Sequence, residues 1–244
     1  VADIACGSGI FLEEAFAYLQ DYCVQWYICN GQTDHLIETG IDLYKLPLQE
    51  KKDILCSCIY GIDIDIHAVE VAKFSLLIKL IEDETAPSVS EVVPILPDLG
   101  DNIQFGNSLV SQTELNGISG ANRQMMEIAP FDWSTINNGC GFDVIIGNPP
   151  YVNTEGMHAL LPSAEVEVYK KKYKTSHKQF DKYFIFIEQA INKINENGLV
   201  CYIVPNKFFK IGAGEKLRNL IAKERMLVSL DDFGDAQLFE DKTI

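Results

Sequence analysis

The residues best suited to chemistry in this chain are Asn148-Pro149-Pro150-Tyr151, which close the apolar run Phe142-Asp143-Val144-Ile145-Ile146-Gly147. Two prolines at a strand end fix the backbone and remove two N–H donors, leaving carbonyl oxygens and the Asn148 side chain as a rigid set of acceptors. Such a set suits an exocyclic or amide NH2. Asn148 and the Pro149 carbonyl would each accept one N–H, drawing the nitrogen lone pair out of conjugation, while Tyr151 stacks on the adjoining plane. The bland alternative is a proline turn. Neither a metal nor a general base is needed, and His35, His67, His158 and His177 form neither HExxH nor another ligand cluster.

Upstream, Asp3-Ile4-Ala5-Cys6-Gly7-Ser8-Gly9-Ile10-Phe11 joins a strand to a helix, the setting in which glycines let a backbone approach a ligand. It lacks the third glycine of GxGxxG, so an ordinary tight turn stays open. Tyr60-Gly61-Ile62-Asp63-Ile64-Asp65 ends the next strand and puts Asp63 where a carboxylate can take both hydroxyls of a ribose. Asp65 reads either as a further contact or as the cap of the helix that begins near His67. Phe105-Gly106-Asn107-Ser108-Leu109 closes a third strand, and Asn107 offers an adenine edge both donor and acceptor or serves as a turn residue.

Taken in order, Asp3 to Phe11, Gly61 to Asp65, Gly106 to Leu109, Asn148 to Tyr151 and Gly198 to Phe209 resemble the gamma class of S-adenosylmethionine-dependent N6-adenine DNA methyltransferases, above all the large bacterial fusions of modification with restriction. The resemblance covers most of the chain. It implies a class I methyltransferase fold, S-adenosylmethionine as cofactor, and base flipping of an adenine in double-stranded DNA. Asp3, Ala5, Cys6, Gly7, Gly9, Phe11, Asp63, Ile64, Asn107 and Ser108 would hold the cofactor, and Asn148, Pro149, Pro150 and Tyr151 would be catalytic. Phe239, in Gln237-Leu238-Phe239, would supply a second stacking face, or is a core phenylalanine. Relatives often carry Asp where Asn107 stands.

The only dense basic stretch, Tyr169 to Lys178, follows the tetrad by about 20 residues and reads either as a mobile lid touching DNA through Lys170, Lys171, Lys172 and Lys174 or as a solvated loop. Lys207 is a further candidate phosphate contact. The net charge of -15 opposes DNA binding at first sight, but residues 1 to 150 hold 6 basic and 22 acidic residues whereas 151 to 216 hold 10 and 7. Three rivals remain at this stage: a glutamine-N5 protein methyltransferase, an RNA base methyltransferase, and a catalytically idle nucleoside-binding module.

The elements that must carry these residues alternate strand and helix, which predicts an α/β domain with a mainly parallel twisted sheet and helices on both faces. Strands are expected at 1–5, up to Ile62 from Ile54, at 102–105, 142–146, 199–204 and 226–230. Helices are expected at 10–19, at 67–81 on the spacing of Val71, Phe74, Leu77, Ile78 and Ile81, at 180–194, and at 214–223. Residues 83–101 and 111–140 read as surface excursions. The first, second and fourth strands should flank the cofactor crevice. Val1 is not an initiator Met and the glycine loop begins within a few residues of it, so the expectation is one catalytic domain, 1–244, of a longer polypeptide. That reading puts a cofactor segment before it, a target-recognition domain and sometimes a restriction nuclease beyond it, and an incomplete last antiparallel strand after Ile244.

Seven cysteines without a CxxC pair make neither a disulfide framework nor a zinc ribbon, and a reducing cytoplasm fits best. Cys56 and Cys58 are expected on one strand face as buried thiols. No apolar run approaches the roughly 20 residues that span a bilayer, so no membrane partner is expected.

Overall fold

The computed structural model describes residues 1–85, 92–223 and 226–234. Two compact units result. The first gathers Val1–Ser108, Phe131–Gly147 and Ile194–Cys201; the second gathers Leu109–Pro130, Asn148–Lys193 and the described residues from Tyr202 on.

The first unit carries the sheet. Its strands are β1 (Ala2–Asp3), β4 (Tyr60–Asp63), β5 (Ile103–Phe105), β6 (Phe142–Gly147) and β7 (Ile194–Tyr202), in the spatial order β5-β4-β1-β6-β7. The β1–β4, β1–β6 and β4–β5 pairs are parallel, with Asp3 opposite Gly61 and Asp63 opposite Phe105. Strand order therefore reverses around β1, which has the second strand of the series on one side and the fourth on the other, as expected. At such a reversal the carboxyl ends of the strands open a crevice.

Three helices pack together in this unit: α1 (Ile10–Cys29), α2 (Leu48–Cys58) and α3 (Ile66–Ile81). Leu12 and Phe16 of α1, Leu48 and Leu55 of α2, and Val69, Ala72, Leu76 and Leu80 of α3 form one core with Ile59, Leu99 and Ile103. A two-stranded antiparallel ribbon, β2 (Ile37–Gly40) with β3 (Leu43–Lys45), was not anticipated. The expected strand from Ile54 to Ile62 is instead the end of α2 followed by β4, because Leu48, Lys51 and Leu55 recur at helical spacing and bury one face. Cys56 and Cys58 accordingly lie on a helix, where residues two apart do not share a face; all seven cysteines are free thiols.

The second unit holds α4 (Ala121–Ile128), α5 (Thr154–Leu160), α6 (Ser163–Lys172), α7 (Lys182–Lys193) and α8 (Glu215–Lys223). Only the start of the basic stretch is helical: Lys170 to Lys172 form the last turn of α6, residues 173–178 follow as a loop, and the aromatics Tyr169 and Tyr173 are buried. Asn197 and Gly198 do not end a helix but run through β7, and Met226 to Leu230 is not a strand. Phe239 and the expected last strand lie outside the described residues. Among the described residues no helix is long and apolar enough to cross a membrane, and no cluster of His, Cys, Asp and Glu could hold a metal.

Candidate active site

Within the first unit, the loop after β1 is built by two glycines in the left-handed region, Gly7 at φ 53° and Gly9 at φ 91°. A Cβ on Gly9 would meet that of Ala72 at 3.0 Å, so this glycine lets the loop press onto α3, whereas a Cβ on Gly7 would meet nothing within 4 Å. Open space over Gly7 is what a ligand-bearing loop requires. The Cys6 N–H bonds the Ile62 carbonyl at 3.1 Å and buries the thiol, whose ionisation burial pushes well above the ordinary range. Ala5 and Phe11 are half-buried in and just after the loop.

Two carboxylates frame the loop. Asp63 accepts from the Gly7 N–H at 2.8 Å through Oδ2 and from the Asp65 N–H at 2.9 Å through Oδ1. It thereby clamps the loop to the end of β4 and keeps one lone pair on each oxygen for a ligand hydroxyl. Asp65 accepts from the His67 N–H at 2.8 Å and caps α3, so the capping alternative is the one found.

Asp3 is almost fully buried and accepts from the Ala5 N–H at 3.0 Å. Burial, with the nearby Asp63 charge adding to it, pushes its carboxyl up to about 7. The sequence reading missed its partner in shape, Gly147. At φ 148°, a Cβ there would lie 2.6 Å from Asp3 Oδ1, so only glycine leaves room for this carboxyl beside the end of β6. The available signal was a glycine closing an otherwise branched apolar run.

At the neighbouring strand ends Ile64 and Phe105 are both exposed, at 43% and 44%, an apolar pair suited to a ring. Phe105 was not singled out from sequence. Asn107 is buried, and Ser108, also buried, donates to the Ile4 carbonyl at 2.6 Å, which uses its hydroxyl to brace the first strand.

The second unit begins the tetrad at the residue after β6. Pro149 is buried, Pro150 is exposed, and Asn148 and Tyr151 are half-buried. Tyr151 Oη lies in hydrogen-bond contact with Asn148 Oδ1 and donates to the Ile203 carbonyl at 2.9 Å, so its one proton serves two acceptors. Burial raises its ionisation above the ordinary tyrosine range. The segment that follows is stitched down by three contacts: the Lys182 N–H to the Val152 carbonyl at 2.8 Å, Thr154 Oγ1 to the Phe180 carbonyl at 2.8 Å, and an antiparallel bridge between Asn153 and Asp181.

The basic candidates are less available than their sequence suggests. Lys171 pairs with Glu167 at 2.6 Å, Lys172 with Glu114 at 2.8 Å, and Lys207 with the buried Asp181 at 3.1 Å. Lys170 Nζ sits 3.2 Å from His158 Nε2, and Lys174 is exposed. Glu188 accepts from the N–H groups of both Lys174 and Thr175, at 3.0 and 2.8 Å, and Thr175 is fully buried. Residues 174 and 175 are thus anchored to α7 in this structure.

A mainly parallel sheet with its strands in the sequence order third, second, first, fourth and fifth, bearing a glycine loop after the first and a carboxylate at the end of the second, is a class I methyltransferase fold. The chain belongs to the Eco57I restriction-modification methylase family, whose model matches residues 57–239. It is 45% identical over 242 residues to the type II restriction enzyme and methyltransferase RM.Eco57I of Escherichia coli, covering 99% of this chain and 23% of that protein. It is 26% identical to the type II methyltransferase M.BstVI of Geobacillus stearothermophilus, covering 93% of this chain and 33% of that one. The chain thus spans a third or less of either relative's length. Among solved structures, a nuclease-deletion mutant of the type ISP restriction-modification enzyme LlaGI in complex with a DNA substrate mimic superposes with TM-score 0.54 at 16% identity, over 91% of this chain and 17% of that one. A DrdV–DNA complex gives the same TM-score and identity over 91% and 19%.

Proposed function

We propose that this chain is the catalytic part of a modification enzyme that methylates the N6 amino group of an adenine flipped out of double-stranded DNA, using S-adenosylmethionine. The observation that carries the reading is the tetrad Asn148-Pro149-Pro150-Tyr151 starting at the residue after β6, the strand that pairs with the strand bearing the glycine loop.

The residues of the first unit fit the cofactor. The open backbone at Gly7 suits the methionine portion, Asp3 its ammonium, Asp63 the ribose hydroxyls, and Ile64 with Asn107 the adenine ring and its amino edge. Cys6, Gly9 and Phe11 shape the loop, and Ser108 supports it through Ile4. When bound, S-adenosylmethionine supplies an electrophilic methyl group on a sulfonium.

In the second unit, Asn148 Oδ1 and the Pro149 carbonyl accept the two N–H bonds of the target amino group and localise the nitrogen lone pair. The nitrogen would form its bond to the methyl carbon as the sulfonium S–CH3 bond breaks, releasing the neutral thioether, and would lose one proton to solvent. The Tyr151 ring stacks on the extruded base and returns part of the unstacking cost. Lys170 and Lys174 supply backbone attraction, with Lys171, Lys172 and Lys207 reaching phosphate only by giving up their present carboxylate partners. Phe239 is proposed for the second face of the base. Target recognition, and any nuclease partner, would belong to further domains of the natural polypeptide, acting in a reducing cytoplasm.

Product analysis tests this. The full-length protein is incubated with methyl-labelled S-adenosylmethionine and, separately, plasmid DNA, tRNA and a release-factor protein, and the labelled products are hydrolysed. Label recovered as N6-methyldeoxyadenosine is the expected result. Label confined to protein glutamine or to RNA, or no transfer at all, overturns the reading.

A further inference from the structure

The hydroxyl that tethers Tyr151 leaves one freedom open. Tyr151 Oη lies on the axis about which the ring turns relative to Cβ, so its bonds to the Ile203 carbonyl at 2.9 Å and to Asn148 Oδ1 fix where the tip of the ring sits and hold the ring plane only loosely. Stacking on a base demands a fixed plane, and a lateral contact sets that plane more firmly than a hydroxyl at its tip.

Tyr183 makes that contact. Its ring stands at 85° to the Tyr151 ring with the centroids 5.9 Å apart, in the range of a favourable edge-to-face pair. A perpendicular neighbour can cover at most one face of Tyr151. Tyr183 is itself immobilised: it is fully buried, its Oη donates to the Pro205 carbonyl at 3.2 Å, and its ring packs edge-on against Phe184 at 4.7 Å and Phe208 at 6.4 Å. The carbonyls of Ile203 and Pro205 come from one short segment after β7, so tether and lateral wall share a single frame.

We propose that Tyr183 is a positioning residue that sets the plane of the stacking tyrosine, touching neither base nor cofactor, while the Ile203 carbonyl sets its position. The inference rests on the base-stacking role of Tyr151 proposed above.

A double-mutant cycle on the full-length protein, with turnover normalised to cofactor-binding sites, tests both ideas separately. Tyr183→Leu removes the ring; Tyr183→Phe keeps it and loses only the bond to Pro205. The expected result is that Tyr183→Leu lowers turnover about three- to tenfold and reduces the fluorescence change of 2-aminopurine at the target position, with cofactor affinity unchanged. Tyr183→Phe should restore both, and in a Tyr151→Leu background Tyr183→Leu should cost nothing further. Equal losses in both backgrounds, or no loss with Tyr183→Leu, would overturn the positioning role alone. If Tyr151→Leu by itself leaves turnover and fluorescence untouched, the stacking reading falls, and the positioning role with it.

Discussion

Gly147 and Asp3 are the residues at which shape and charge meet most tightly. Any side chain at Gly147 enters the space of the Asp3 carboxyl, and the backbone there is in a region that only glycine adopts cheaply. Gly147→Ala should therefore cost on the order of 1 to 3 kcal/mol of stability, read as a lowered denaturation midpoint, with no change in the helical content of the folded state. An unchanged midpoint would mean that Asp3 moves aside freely. The buried Asp3 also predicts a pH dependence. Its carboxyl is raised from the usual 3.8 to about 7, so the folded state holds a proton that the unfolded chain has released. This contribution is fully present below about 3.8 and is lost as pH rises through about 7. Relative to Asp3→Asn, the natural protein should lose stability between pH 4 and 7 by up to about 1.4 kcal/mol per pH unit, with no further relative change above that window. Denaturant titrations of both proteins across that range give the answer, and parallel curves would contradict it.

At the scale of elements, α3 shows why some of the fold was legible in the sequence and some was not. Its extent was readable from apolar spacing, but the stripe that drew attention, Val71, Phe74 and Ile78, faces outward at 48%, 65% and 48% exposure. The buried face is instead Val69, Ala72, Leu76 and Leu80, with Ala72 in close contact with the glycine loop at Gly9. Apolar spacing alone does not tell which of two apolar stripes on a helix meets the core. The same limit turned the end of α2 into an expected strand, since Ile54, Leu55, Ile59 and Tyr60 form a run whose period is ambiguous over so few residues. The loop glycines and the ends of β4, β5 and β6 were legible because turn chemistry is local. Contacts such as Tyr183 to Tyr151 were not, because they join residues more than thirty apart. Asp65 offers a test at this scale: Asp65→Ala should cost about 0.5 to 2 kcal/mol through loss of the α3 cap while leaving cofactor affinity nearly unchanged. Asp63→Ala should do the reverse in emphasis, weakening S-adenosylmethionine by about 1.5 to 3 kcal/mol in calorimetry. Equal effects of both on cofactor affinity would mean that Asp65 is a ligand after all.

For the molecule as a whole, charge is the quantity that matters most. An acidic chain of net charge -15 gains little from long-range attraction to DNA, so the DNA binding proposed for it would rest on a few local cations. Of the basic candidates, Lys174 is exposed and Lys207 is held by Asp181. In the full-length protein, Lys174→Ala should reduce the dependence of log affinity on log salt by roughly one, and Lys207→Ala by less, because that lysine must first leave its carboxylate. Identical salt slopes for the two variants would contradict this ranking.

In the proposed reaction, Asn148 acts on the target nitrogen and not on the cofactor. Single-turnover methyl transfer by the full-length enzyme, compared between natural protein and Asn148→Ala with S-adenosylmethionine affinity measured alongside, tests it most directly. Transfer to adenine N6 should fall by at least about a hundredfold while cofactor affinity stays within about twofold, since the lost acceptor works only as the nitrogen becomes nucleophilic. Near-normal transfer by Asn148→Ala, or a loss explained entirely by weaker cofactor binding, would contradict the account.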